Sequence, residues 1–173
     1  MPTGLKQSSS LITIGFSVSE QAVNTFTQGQ VDLQLNPLDN EVFVVQAINL
    51  DPLAPDVTPG VNTATSASLT STSKTGVANL SDSNCLATSR DDIRTEVGLA
   101  AVSAGVAFTR TSMETPPAGL EYIGIIATND FFIQVAGQGN TNAKGVSGKM
   151  YGYRATASSS IYAALVQSEL LSA

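Results

Sequence analysis

Histidine and tryptophan are absent from this 173-residue chain, cysteine occurs once, and charged residues make up only 13% of it. Each shortage removes a class of chemistry. Without histidine a Ser-His-Asp triad is excluded, and the thiol of Cys85 has no imidazole to deprotonate it. A single cysteine leaves no intrachain disulfide and no metal site of the His/Cys type. No apolar run approaches the roughly 18 residues that a membrane-spanning helix needs. Residues 1–10 lack the charged start and apolar stretch of a signal peptide, so synthesis in the cytosol is expected.

Positive charge is scarce as well. The net charge is −6, and the eight basic residues (Lys6, Lys74, Arg90, Arg94, Arg110, Lys144, Lys149 and Arg154) are scattered along the chain. Neutralising phosphates takes clustered Lys or Arg, so direct nucleic-acid binding is not expected. The charged fraction is about half the usual quarter. The surface is therefore polar but weakly charged, as suits either burial against other chains or an ordinary extracellular β domain. Aromatics supply 6% of the residues against 42% hydrophobic overall, which predicts a thin aliphatic core between two facing sheets.

What is present is a series of strand patterns separated by turn chemistry. Residues 11–18 place Ile12, Ile14, Phe16 and Val18 on one face, and residues 30–35 place Val31, Leu33 and Leu35 inward. Residues 36–40 read as an Asn/Pro/Asp turn, and 41–50 as a strand apolar on both faces around Val42 to Val45, in the middle of a sheet. The Ser/Thr-rich stretch 61–75 reads as a polar strand, amphipathic or at an edge. Ser89 followed by Asp92, with Ile93 and Val97 at helical spacing, predicts a short helix over 91–100, which Gly98 weakens. Residues 105–113 resume strand structure. The most apolar pair, 120–127 and 130–136, is expected to form a hairpin turning at Asn129 and Asp130. Residues 146–156 alternate Met150, Gly152 and Arg154 against Tyr151, Tyr153 and Ala155, and 161–171 fit a strand or a helix, the spacing of Ile161 and Leu165 behind a serine cap favouring a C-terminal helix. The sum is an all-β fold, a two-sheet antiparallel sandwich or jelly roll of about eight strands. An N-terminal arm (1–10) precedes a single domain (11–173).

Chemistry-bearing candidates are few. The loop 51–60 holds three prolines, and its Asp51 and Asp56 are candidate calcium ligands; without the remaining ligand pattern, a solvated loop or a contact with a neighbouring chain is the reading that two carboxylates favour. The loop 137–145 has glycines and Lys144 but not the order of a phosphate-binding loop, and reads as a connection between strands. Glu41, Glu96, Glu114 and Glu121 are the carboxylates from which a glycosidase pair would be drawn, although the lack of tryptophan leaves little for sugar stacking. Tyr151 and Tyr153 beside Arg154 suggest a base-stacking platform or, without a basic groove around them, cross-strand packing. No cofactor is expected.

About eight β segments in one domain, a Ser-rich arm at 1–10, long polar loops and no catalytic constellation together resemble viral capsid proteins of the single jelly-roll class. The resemblance is architectural and spans the chain. It implies a non-enzymatic virion protein, made in host cytoplasm, that builds a shell with copies of itself and other capsid proteins, through side-by-side contacts and swapped arms. RNA-packaging members carry a strongly basic arm, whereas this arm has only Lys6; that departure implies an interior lined by a membrane or another protein. Two other classes stand beside this one. The first is a secreted or surface module that binds a glycan or a host protein through the loops 51–60 and 137–145, and the second is a two-carboxylate hydrolase.

Overall fold

A computed structural model describes residues 3–96, 104–112 and 119–172. Their elements are β1 (Leu5–Gln7), β2 (Ile12–Ser19), β3 (Thr27–Asp32), a 3-10 turn at Pro37–Asp39, β4 (Glu41–Pro52), β5 (Thr63–Thr70), β6 (Cys85–Glu96), β7 (Ala104–Ser112), β8 (Gly124–Ile126), β9 (Asp130–Gln138), β10 (Gly145–Ala157) and α1 (Ser159–Leu171). All strand pairs are antiparallel.

The pairing follows one long hairpin: β2 lies on β10, β3 on β9, β4 on β8 and β5 on β6. That ribbon is wrapped so that β10 also pairs with β4, and β9 with β5. Two five-stranded sheets result, β1/β2-β10-β4-β8 and β3-β9-β5-β6-β7. Set β1 and β7 aside and eight strands remain in the double Greek-key order of a jelly roll. β1 continues the edge of β10 beyond β2, so residues 5–7 of the expected arm are part of a sheet.

Alternation explains the two layers of packing. Phe43 and Val45 of β4 point into the space between the sheets with Phe16, Ile48, Leu69, Ile126, Phe131, Ile133 and Met150. The rings of Phe16 and Phe131 meet edge to face at 5.5 Å. Val42 and Val44 point the other way and, with Leu5, Tyr153 and Ala155, form a second cluster under Ile161, Tyr162, Leu165 and Val166 of α1. The double-faced apolar run read at 42–45 is thus covered by the core on one side and a helix on the other.

The predicted C-terminal helix is present. Ser158 occupies its N-cap position without a side-chain cap bond. Its anchor is instead Glu169, whose buried carboxylate accepts from the backbone N–H of Ala127 (2.9 Å) and Thr128 (3.1 Å) and from Thr128 Oγ1 (2.9 Å). Asn84 closes the same corner by donating to the Glu169 carbonyl.

Three expectations are corrected. The helix over 91–100 is not formed: 91–96 belong to β6, and 97–100 lie outside the described residues. A weak cap signal gives way there to pairing with β5 and β7 on both edges. The strand expected within 61–75 is present as β5, and of its two readings the edge one fails, since β5 lies between β9 and β6. Its polar side is sealed by a hydrogen-bonded cluster: Gln134 Nε2 donates to Thr70 Oγ1 (2.6 Å) and Gln28 Oε1 (3.0 Å), while Ser68 Oγ donates to Gln134 Oε1 (2.7 Å). The backbone of Lys74 and Ala78 folds over that cluster, donating to Gln28 Oε1 and Ser68 Oγ. Finally, 120–127 and 130–136 do not form a hairpin. β8 and β9 belong to opposite sheets, and the residues between them carry the chain across the sandwich.

Glu169→Ala strands the buried Ala127 N–H and two part-buried donors of Thr128, so it is expected to lower the unfolding free energy by about 2–3 kcal/mol. Urea denaturation followed by far-UV circular dichroism measures this.

Candidate functional site

The candidate calcium ligands separate in the fold. Asp51 is exposed at the end of β4, opposite Ser147 of β10. Asp56 is drawn into a clamp that ties the loop after β4 to the loop before β10. Its Oδ1 accepts from Lys144 Nζ at 2.6 Å, and its Oδ2 from Thr141 N (3.0 Å), Thr141 Oγ1 (3.0 Å) and Asn142 N (2.9 Å). The ammonium supplies the positive charge that a calcium ion would bring. Lys144, the lysine of the Gly-rich loop, is buried and committed to this carboxylate. Buried Glu20 fastens the loop after β2 to the same end, accepting from Gly137 N (2.6 Å) and Lys144 N (2.8 Å). Asn140 completes the clamp, bonding Asp56 N, Asn24 and the Ala64 carbonyl. Among the described residues no three His, Cys, Asp or Glu side chains gather as a metal set would.

The Lys144 hydrogen bond, followed by that from the Asn142 backbone, holds the Asp56 carboxyl far below the usual carboxylate range. A lowered folded value means stability that is full above the unfolded pKa, near 3.8, and lost as pH falls from there toward the folded value. Asp56→Asn is therefore expected to lower the melting temperature at pH 7, with the difference from the wild type shrinking steadily below about pH 4. Thermal melts of both proteins from pH 7 to pH 2 read this out.

The remaining candidates disperse. Glu41 accepts from Asn36 N (3.1 Å) and faces Arg154 Nη1 at 3.5 Å. Glu96 ends β6, Glu121 lies before β8, and Glu114 is outside the described residues. Tyr153 is buried in the cluster beneath α1, where burial, then Tyr122, raises its pKa. Arg154 donates to the Leu33 carbonyl (3.0 Å), so these side chains pack within the chain. Cys85 is half-buried, and burial, followed by the charge of Asp82, pushes its thiol up to about 11. From the ordinary 9.0, that predicts alkylation by iodoacetamide at pH 7.5 slower than for an unperturbed thiol by about tenfold, the loss of thiolate outweighing its greater nucleophilicity, measurable by mass spectrometry.

A feature missed in the sequence lies at the other edge of the second sheet. Arg90, Asp92 and Arg94 alternate along β6, and β7 brings Arg110 opposite Arg90. Asp92, nearly buried, receives Arg90 Nε at 2.9 Å and Nη2 at 2.8 Å, with Arg94 Nη2 and Arg110 Nη2 each at 3.3 Å. The hydrogen bond from Arg90 is the main cause that lowers the Asp92 pKa, and the pair raises that of Arg90 in turn. Three cations thus share one anion. The signal was legible: charges of alternating sign at period two belong to one face of a strand.

β7 itself stands out from the sandwich. Residues 105–111 are exposed on both faces, β7 forms the end of its sheet, and its outer face presents Val106 and Phe108 at 57% and 52% exposure. A cavity of about 340 Å³ lies between Phe108, Thr109, Arg94, Arg110 and Asp92. On the other face of the same region four buried oxygens have no hydrogen-bond partner: Thr65 Oγ1, Ser89 Oγ, Asp91 Oδ1 and Thr95 Oγ1. No family model matches this chain, and no curated protein matches it either.

Proposed function

We propose that the chain is a capsid protein: a structural subunit of a virion, without catalytic activity, that self-assembles into a shell. The observation that carries this reading is β7, an edge strand attached through β6 to the jelly roll and exposed on both faces over residues 105–111. An apolar edge strand of this kind is a template for pairing with another chain, and folded proteins ordinarily blunt or cover it. β7 has Val106 and Phe108 where a protected edge would carry lysine or proline. The unpartnered oxygens beside it point the same way, because buried polar groups are normally satisfied somewhere.

The charge arrangement supports a shell that does not grip its genome directly. Six of the eight basic residues are engaged in ion pairs within the chain: Lys74 with Asp82, Lys144 with Asp56, Arg154 with Glu41, and the three arginines with Asp92. An interior lined by a membrane or by another capsid protein suits such a subunit.

Sedimentation velocity with electron microscopy of the purified chain tests the reading. Concentration-dependent assembly into closed or curved particles is expected. A strictly monomeric species at millimolar concentration, across salt and pH, would overturn it.

A further inference from the structure

Assembly leaves open what covers the β6–β7 ribbon, and the surface chemistry narrows the answer. We infer that the outer face of β6 and β7 receives the Pro37–Asp39 turn of a second copy, with Leu38 seated against Phe108 and Val106 and Asp39 facing Arg94 and Arg110. This rests on the self-assembly reading above.

The receiving surface has an apolar floor and a cationic rim. Arg94 and Arg110 each reach Asp92 with a single terminal nitrogen, and their side chains remain 54% and 69% exposed. Three guanidinium groups around one carboxylate leave this face with an excess of positive charge, although the chain as a whole carries −6. Outside β6 and β7 lie eleven of the fourteen acidic residues and five of the eight basic ones. β6 and β7 together are neutral, with three acidic and three basic residues, so the complement to the acidic body of one copy is the exposed Arg94 and Arg110 rim on the ribbon of another.

The complement of an apolar floor with a cationic rim is an apolar side chain beside a carboxylate. Leu38 is 90% exposed, the most exposed large hydrophobic residue among those described, and Asp39 follows it. Their turn is rigid in advance of any contact. Asn36 Oδ1 accepts from Leu38 N (3.1 Å), Asn36 Nδ2 donates to Asp39 Oδ2 (2.6 Å), and Asn40 closes the turn in the left-handed conformation at φ 51°. A preformed knob loses little entropy on docking.

One copy cannot satisfy itself. The turn follows β3, which lies four strand spacings from β7 in the same sheet, about 19 Å away. Along the strands, Arg90 is in line with Ser66 and Ala136, whereas Leu35 is tied to Asn129, a further offset of about 20 Å. Knob and receptor occupy diagonal corners, so the contact joins two different patches of two copies. Repeated in one direction from copy to copy, it generates rings or extended arrays.

Charge exchange tests the pairing. Arg110→Glu and Asp39→Lys are each expected to raise the concentration for half-assembly by at least about tenfold, and the double variant to recover most of that loss. Circular dichroism verifies that each variant folds. Leu38→Asp, on an exposed turn remote from the Asp92 cluster, gives an independent loss should Arg110→Glu disturb β6. If the wild type assembles and the folded single variants assemble equally well, or the double variant is as impaired as the two singles combined, this contact is wrong while the capsid reading stands. A wild type that never assembles overturns both.

Discussion

The close approach of β10 to β4 is the constraint on which the rest of the molecule depends. The two strands pair from Val146 with Pro52 to Thr156 with Glu41, interrupted by one irregularity beside Gly152. At Gly152 a Cβ would stand 2.2 Å from the Val44 carbonyl oxygen and 2.5 Å from the Phe43 ring, and at Gly148 2.4 Å from the Asn49 oxygen. Only glycine lets the backbones meet there. Because β10 also carries β2 and β1 on its other edge, the contact sets the position of the whole first sheet and, through Val44 and Tyr153, the platform for α1.

Electrostatics here serves architecture first. With few charges available, the chain uses several of them as internal fasteners: Glu20, Asp56 and Lys144 bind three loops at one end, and Glu169 pins the terminal helix to the crossing between the sheets. Each fastener links residues far apart in the chain, and at the buried Glu20 and Glu169 a hydrogen bond to the carboxylate is worth about 1.5–3 kcal/mol. The Asp92 cluster differs from these in carrying surplus charge of one sign at the surface, which is why it draws attention as a contact.

Much of the fold was legible before any coordinates. The apolar face of β2, the strand at β10, the double burial of Val42 to Val45, the 36–40 turn and the terminal helix all follow from periodicity and turn chemistry. These are local properties, encoded by residues a few positions apart. The errors share one cause. β5 was open to an edge reading because its Ser and Thr look solvated, yet Gln134, 64 residues from its partner Thr70, satisfies them from the neighbouring strand. The apolar stretches around Gly124 and Asp130 resembled a hairpin because proximity in sequence says nothing of which sheet each strand joins.

The site follows the same division. Sequence alone determined that chemistry dependent on histidine or paired cysteines is excluded, that positive charge is scarce, and that serial strands build one sandwich, since these depend only on which residues exist and how they alternate. Tertiary structure decided that Asp56 meets Lys144 rather than Asp51, that three of the scattered arginines converge on Asp92, and that β7 is left exposed. Those outcomes depend on strand order and register, which are settled by long-range pairing and packing between segments that the local pattern cannot connect.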